Sequence, residues 1–117
     1  MAAPASINRQ ELRRYVRRVS DRWPIARALV GGKRVTGSDA GSGDGDYVVI
    51  FVSERFDGVP WLERTRQAGA LWDATEMDGT ADVHCYTPVE FARKRDSLTV
   101  VREAIESGID VPAGPED

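Results

Sequence analysis

The sequence predicts one α/β (α+β) domain in which flanking helices pack on a small mixed sheet. The chain has 117 residues, of which 41% are hydrophobic, enough for a single hydrophobic core and too few for two. Apolar patterns follow in the order helix, strand, loop, strand, helix, strand, helices, without an internal repeat. We therefore expect a single domain over residues 1–109, followed by a frayed tail over 110–117.

The first element is an amphipathic helix over residues 8–22. Apolar residues recur at helical spacing, and five arginines occupy the remaining surface. Ser6 or Asn8 is the expected N-cap, and Pro24 ends the helix. The apolar residues are Leu12, Tyr15, Val16 and Val19, and the arginines are Arg13, Arg14, Arg17, Arg18 and Arg22. Residues 25–30 then form a short apolar run that reads as a buried strand.

The middle of the chain alternates loop, strand and helix. Residues 33–45 are rich in Gly, Ser and Asp, which predicts a turn and a mobile loop. Residues 46–52 are apolar on both alternating faces, as in a central strand covered on two sides. Residues 60–73 predict a helix that begins at a proline and turns one side inward, consisting of Trp61, Leu62, Thr65, Ala68, Gly69 and Trp72.

The last third predicts a strand and two helices. Residues 81–86 read as the third strand. Thr87 and Glu90 have the spacing of a capping box around Pro88, which starts a helix to about residue 94. Ser97 is the expected cap of the final helix, which Gly108 ends. Its inner face consists of Leu98, Val101, Ala104 and Ile105.

Charge is divided unevenly along the chain. Residues 1–34 hold nine Lys/Arg and two Asp/Glu, a net charge of +7, while residues 35–117 hold seven and seventeen, a net charge of −10. A basic segment of this kind indicates either an arm that binds nucleic acid or an acidic partner, or a solvated basic helix beside a cation-binding site. A single Cys excludes an intramolecular disulfide. With no apolar signal or membrane-spanning segment in the sequence, we expect a cytoplasmic protein that makes no membrane contact.

Three aspartates form the candidate chemical site. Asp44 and Asp46 are two residues apart, so in extended backbone their carboxylates point to the same face. Asp82 offers a third carboxylate from a neighbouring strand. Adjacent carboxylates repel each other unless a cation lies between them, and carboxylate oxygens suit Mg²⁺. The alternative is a polar Gly-Asp loop without a ligand, with Asp82 as an ordinary strand-edge acid.

These motifs resemble those of the minimal nucleotidyltransferases of the DNA polymerase β-like superfamily. That family has an apolar residue and two small residues, a spacer of about ten, an acid-x-acid motif opening a strand, and a third acid between apolar residues. The corresponding segments are residues 30–32, an eleven-residue spacer, residues 44–46 and residues 81–83. The resemblance covers roughly residues 24–92. Gly45 departs from the family, which has an apolar residue between the two acids.

The resemblance implies a fold, an activity and a role for each site residue. The fold is the polymerase β-like nucleotidyltransferase fold, and the activity transfers a nucleoside monophosphate from a nucleoside triphosphate to an acceptor. Backbone N–H groups around Gly31 and Gly32 hold the triphosphate, and Lys33 neutralises phosphate charge. Asp44, Asp46 and Asp82 hold Mg²⁺ or Mn²⁺, and Asp82 also takes the proton of the acceptor hydroxyl. These six residues are the predicted catalytic, metal-binding and nucleotide-binding set.

The resemblance also implies partners. Minimal members act as antitoxins beside a helical, HEPN-type toxin, so such a partner or a second copy of this chain is expected to complete the acceptor site. The alternative is a catalytically silent protein with the same fold. It would bind a protein or nucleic acid through the arginine-rich first helix, although a solvated helix face explains the same arginines.

Other chemistries fail on residue counts. The single His84 and the single Cys85 are adjacent on a predicted strand and point to opposite faces, so they make neither a zinc site nor a Cys-His dyad. Cys85 is best explained as a small core residue. His84 shares a face with Asp82, where it is either a structural, hydrogen-bonded histidine or a neighbour of the site.

Overall fold

The computed structural model describes residues 7–36 and 46–112 of the chain. Six helices and four strands follow in the order α1, β1, α2, β2, α3, α4, β3, α5, α6, β4, with a 3₁₀ turn at Glu54–Phe56 after β2. The helices are α1 Arg9–Arg22, α2 Lys33–Thr36, α3 Trp61–Ala70, α4 Ala74–Met77, α5 Pro88–Ser97 and α6 Thr99–Ser107. The strands are β1 Arg27–Gly31, β2 Tyr47–Val52, β3 Ala81–Tyr86 and β4 Ile109–Asp110. The α/β class with a small mixed sheet and flanking helices is confirmed.

The four strands form one sheet in the order β3-β2-β1-β4. β1 pairs antiparallel with both β2 and β4, whereas β2 and β3 run parallel in a register that places Val48 opposite Asp82 and Ile50 opposite His84. Side chains alternate between the two faces of each strand. The register therefore puts the even-numbered residues of β2 and β3 on one face of the sheet.

The first face of the sheet is apolar throughout. Helix α1, the 3₁₀ turn and residues of α3 and α4 cover it, and Tyr15 donates a hydrogen bond of 2.8 Å to the carbonyl of Ala68. This side of the core is built from the strand residues Ala28, Val30, Tyr47, Val49, Phe51, Val83 and Cys85 and from the α1 residues Leu12, Tyr15, Val16 and Val19. The predicted amphipathic pattern of α1 is thereby confirmed.

The second face of the sheet is covered by α5 and α6. Its core consists of Leu29, Val48, Ile50, Val52, Tyr86, Phe91, Val101 and Ala104, with Leu98 and Ile105 packed against it. Helix α6 lies over β1 and β2, so the start of the edge strand β3 stays partly open on this face. Asp82 and His84 are half-buried there. The predicted inner face of α6 is confirmed at Val101 and Ala104.

Helix boundaries follow the capping residues with a few differences. Asn8, not Ser6, caps α1 by accepting a 3.0 Å hydrogen bond from the Glu11 amide. Thr87 and Glu90 form the predicted capping box, and α5 continues to Ser97, three residues beyond the predicted end. Ser97 therefore ends α5 and does not cap α6; its hydroxyl donates to the carbonyl of Arg93.

Two expectations about irregular segments were wrong. The segment that begins at Lys33 starts with the short helix α2, where a turn and a loop were expected. The short helix α4, which the Asp73 side chain caps by accepting two backbone N–H groups, was not predicted. The segment 110–117 was expected to fray, yet Asp110 belongs to β4 and Val111 is buried, with its amide donating to the Ala28 carbonyl. Pairing with β1 accounts for this order, and residues 113–117 lie outside the described residues.

The predicted inner face of α3 is confirmed at Ala68 and wrong at Trp61 and Leu62. Arg64 and Ala68 are buried, whereas Trp61 is 40% exposed and Leu62 is 78% exposed. Arg64 is accommodated because its guanidinium donates to the carbonyls of Val59 and Cys85 and to the Glu90 carboxylate. Because these acceptors satisfy its guanidinium, Arg64 can be buried at a position where the sequence pattern predicts an apolar side chain. None of the helices in the described part of the chain is long and apolar enough to cross a membrane.

Candidate active site

The described part of the candidate site lies where the two parallel strands begin. Asp46 immediately precedes β2, and its main chain is fixed on both sides: its carbonyl accepts from the Arg34 amide at 3.1 Å, and the next amide donates to the Thr80 carbonyl. Oδ2 of Asp46 accepts from the Thr80 amide at 3.3 Å. The carboxylate is therefore oriented by backbone groups before any ligand binds, while its side chain remains 32% exposed.

Gly79 explains how Asp46 comes so close to the turn before β3. A Cβ atom at residue 79 would lie 2.7 Å from Oδ2 of Asp46, closer than real Cβ contacts allow. Asp78, one residue earlier, has a left-handed backbone with φ of 55°. The turn thus combines a left-handed residue with a residue that has no side chain, and it packs directly on the Asp46 carboxylate.

The two glycines of the predicted phosphate-binding segment differ in how strictly the backbone requires a glycine. Gly32 has φ of +98°, and a Cβ there would lie 2.9 Å from the Asp46 carbonyl oxygen and the Val48 amide nitrogen. Gly31 lies at the end of β1 beneath α6, where a Cβ would approach the Cα of Ala104 to 3.4 Å. Gly32 therefore holds the turn against the start of β2, whereas a Cβ at residue 31 would make only an ordinary van der Waals contact with α6.

Lys33 and Arg34 follow this turn in α2. The Lys33 ammonium lies 3.8 Å from Oδ1 of Asp46, so it offsets the charge of this carboxylate. The Arg34 guanidinium donates 2.8 Å to the Asp78 carbonyl and lies 3.3 Å from the Asp78 carboxylate. Arg34 thereby ties α2 to the turn at Gly79, and the glycine turn, Asp46 and Gly79 form one connected unit.

Asp82 lies on the second face of β3 in a row of three polar side chains. Oδ2 of Asp82 is 3.2 Å from Nε2 of His84, and Nδ1 of His84 is 3.1 Å from the Tyr86 hydroxyl. Burial, followed by the negative charge of Asp82, raises the pKa of Tyr86 to about 12, so Tyr86 stays a neutral phenol. Nε2 and Nδ1 of His84 each lie within hydrogen-bond distance of one neighbour in the row.

Two of the three predicted carboxylates lie where the parallel strands begin. Asp46 immediately precedes β2, and Asp82 lies near the start of β3, opposite Val48. Asp44, the remaining acid, and Gly45 lie outside the described residues. Within the described ranges, no three His, Cys, Asp or Glu side chains form a cluster that could hold a metal ion. The donor chemistry nevertheless fits a hard divalent cation, because both carboxylates are partly exposed and each retains lone pairs for it.

The arginine-rich surface of α1 has partners within the chain. Arg14 and Arg18 contact the two oxygens of Glu11 at 3.1 and 2.6 Å, and the Glu11 side chain is almost fully buried. Arg18 also donates to the Leu71 carbonyl, and Arg22 hydrogen-bonds the Gln67 side chain. Three of the five arginines therefore have a structural role within the chain. That α1 binds an acidic partner or nucleic acid stays a prediction.

Sequence reasoning missed several residues that shape the site. Gly79 and Arg34 position Asp46, and the buried Arg64 pairs with Glu90 at 2.7 Å beside Tyr86. The contact of the turn at Gly79 with Asp46 depends on the parallel pairing of β2 and β3. Arg64 stood in a helical pattern where nothing local distinguished it from the solvated arginines.

Comparison with known proteins supports the fold. No family model matches the chain, and no curated protein matches its sequence. Among solved structures, the chain is similar to a protein from Sulfolobus solfataricus whose crystal structure carries the name "putative nucleotidyltransferase". The two are 13% identical with a TM-score of 0.53, and the match covers 87% of this chain and 77% of the other. At this identity the similarity establishes a nucleotidyltransferase-like fold.

Proposed function

We propose that the protein transfers a nucleoside monophosphate from a nucleoside triphosphate to a hydroxyl acceptor, with Mg²⁺ or Mn²⁺ as its metal. The observation that carries the proposal is that Asp46 and Asp82 lie at the starts of the two parallel strands, with Asp46 against the glycine turn at Gly32, in a nucleotidyltransferase-like fold. Two carboxylates on neighbouring strands next to a side-chain-free turn suit a metal-bound triphosphate.

The three aspartates divide the work in this proposal. Asp44, Asp46 and Asp82 would hold the cation, which when bound neutralises charge on the triphosphate oxygens. Hydrogen bonding from the Thr80 amide fixes one oxygen of Asp46, so the carboxylate loses little freedom on binding. Asp82 takes the proton of the acceptor hydroxyl. The hydroxyl oxygen then bonds to the α-phosphorus, and the bond from that phosphorus to pyrophosphate breaks.

The glycine turn and Lys33 would bind the triphosphate. Gly32 permits the tight turn, with φ of +98°, whose backbone N–H groups would bind the phosphate. The Lys33 side chain is 45% exposed and lies at the loose distance of 3.8 Å from Asp46, so its ammonium can turn toward an incoming phosphate. Once the cation offsets the charge of Asp46, Lys33 is available to the triphosphate.

The experiment is a thermal-shift titration with a nucleoside triphosphate and Mg²⁺. We expect the complex to raise the Tm of the wild-type chain, because a ligand that binds only the folded state stabilises it. Asp46→Asn and Asp82→Asn should each lose this shift, and Asp44→Asn tests the acid outside the described residues. Asp21→Asn is the matched control, since Asp21 is an exposed aspartate of α1, remote from the site. An unchanged shift in the Asp46→Asn variant contradicts the proposal.

On the same resemblance, we propose that a helical toxin-type partner or a second copy of this chain helps to complete the acceptor side. Light scattering on the purified chain, alone and with Mg²⁺ and triphosphate, tests for the second copy. A monomer under both conditions leaves the partner protein as the remaining form of this proposal.

A further inference from the structure

A pocket of about 670 Å³ opens on the second face, next to the row formed by Asp82, His84 and Tyr86. Its volume lies within the range of small-molecule sites. Aromatic side chains lie at one side and the outer surface of α5 at the other. The residues around it are Trp61, His84, Tyr86, Glu90, Arg93, Lys94, Ser97 and Leu98.

The charge of this pocket favours an anion. Arg93 and Lys94 are exposed on α5, and neither forms an ion pair with a carboxylate among the residues that the structure describes. The carboxylate that also lines the pocket, Glu90, is already paired with the buried guanidinium of Arg64 at 2.7 Å. The pocket therefore offers two positive charges whose attraction for a ligand is not cancelled. Adjacent cations of this kind suit a phosphate group.

The aromatic side of the pocket favours a planar ring. Trp61 is 40% exposed, which is unusual for a large aromatic side chain. Its orientation is supported by the Tyr86 ring, with centroids 5.3 Å apart, and by the Arg64 guanidinium at 5.8 Å. An exposed but already oriented indole loses little entropy on binding, and base–aromatic contact contributes about 1–3 kcal/mol.

We infer that this pocket binds a nucleoside monophosphate as the acceptor, with its phosphate at Arg93 and Lys94 and its base against Trp61. His84 lines the pocket and contacts Asp82, so a ligand hydroxyl at this end lies toward the proposed base. The acceptor role rests on the proposed transferase function, whereas the binding of the nucleotide does not. In this inference, the chain itself contacts the base and the phosphate of the acceptor nucleotide, and a partner chain would complete the rest of the site.

The experiment measures AMP binding by calorimetry in EDTA, where metal-dependent triphosphate binding is absent. We expect AMP to bind the wild-type chain, and ribose 5-phosphate and adenosine to bind about tenfold more weakly, since each lacks one of the two recognised groups. Trp61→Ala and Lys94→Gln should each weaken AMP binding about tenfold. Arg95→Gln is the matched control, because Arg95 is exposed on the same helix and does not line the pocket.

The variants also separate this inference from the proposed function. Asp46→Asn should leave AMP binding in EDTA unchanged while removing the Mg²⁺–triphosphate shift. Equal losses in the Arg95→Gln and Lys94→Gln variants, or an AMP affinity insensitive to Trp61→Ala, overturn the pocket assignment whatever the triphosphate result. Loss of AMP binding in Asp46→Asn also overturns it, since the nucleotide would then occupy the triphosphate site.

Discussion

The two faces of the sheet differ in how completely they are covered. On the first face, α1 and its neighbours bury every strand residue that forms the core, from Ala28 to Cys85. On the second face, α6 covers β1 and β2, but Asp82 and His84 at the start of the edge strand keep access to solvent. The first face thus stabilises the fold, and the gap in the second face leaves room for polar chemistry.

The difference originates in single residues of β3. Val83 and Cys85 face the apolar side, while Asp82, His84 and Tyr86 alternate with them on the other. A strand that is apolar on one face and polar on the other normally turns its polar face to water. In this chain the three polar side chains contact one another in a row, and the pocket beside α5 opens next to them.

The largest effect expected from this comparison is a loss of stability in the first face. Phe51 is fully buried against Tyr15, with ring centroids 5.6 Å apart. Phe51→Ala should lower the free energy of unfolding by about 3–5 kcal/mol through lost burial and a cavity. Urea unfolding at low temperature measures the change. His84→Ala on the second face serves as comparison and should cost less than about 1 kcal/mol; equal losses would contradict the contrast between faces.

A smaller loss of stability is expected from a substitution in the glycine turn at Gly32. Gly32→Ala places a side chain at a φ of +98°, a backbone strain of about 1–3 kcal/mol, and adds contacts of 2.9 Å with the start of β2. Gly58→Ala is the matched control, because its φ of +85° carries similar strain with no atom within 4 Å of the new Cβ. The difference between the two variants in urea unfolding isolates the close approach. If Gly58→Ala is equally destabilising, Gly32 is explained by its backbone angle alone.

Sequence reasoning predicted the regular elements because each carries a local signal. The two-sided apolar run of β2, the capping box at Thr87 and the spacing of α1 depend only on neighbours in the chain. The strand β4 was missed because two residues have no periodicity, and their pairing with β1 depends on how α6 ends at Gly108. A Cβ at Gly108 would lie 2.7 Å from the Val30 carbonyl, a long-range contact that the sequence cannot show.

The candidate site was predicted in part for the same reason. Spacing and strand alternation placed Asp82 and His84 on one face, and the structure confirms that arrangement. The groups that orient Asp46 come from Arg34, Gly79 and Thr80, which meet only when β2 and β3 pair in parallel. The roles assigned to the aspartates and glycines stay predictions that the titration described above will test.

A modest, pH-dependent effect on thermal stability is expected from the ion pair between Arg64 and Glu90. Hydrogen bonding from Arg64 lowers the pKa of Glu90, so folding favours the ionised carboxylate. This contribution is present above the unfolded pKa and is lost as pH falls through the lowered folded pKa. Because Glu90 is 38% exposed, screening limits its contribution to about 1 kcal/mol. Glu90→Gln should therefore lower the Tm at pH 7 and flatten its decline below about pH 4.3.

The matched control for that profile is Glu106→Gln on an exposed position of α6, which changes net charge by the same amount. Its Tm should follow the wild-type curve across the acidic range. If the Tm of the Glu90→Gln variant instead declines at acidic pH as the wild-type Tm does, Arg64 is stabilised by the Val59 and Cys85 carbonyls alone.

The last prediction compares the chemical reactivity of two adjacent residues that lie on opposite faces of the sheet. It requires no change in the stability of the protein. Cys85 points into the closed first face, where burial raises the pKa of its thiol to about 12, and His84 points into the open second face with 17% of its side chain exposed. In the native protein, diethyl pyrocarbonate should modify His84 before a maleimide modifies Cys85, and mass spectrometry measures both rates. Cys85 should react only after unfolding, because a protonated, buried thiol is a poor nucleophile. Fast native labelling of Cys85 would show that the first face opens as readily as the second, and the contrast between the faces would then not explain where the polar groups lie.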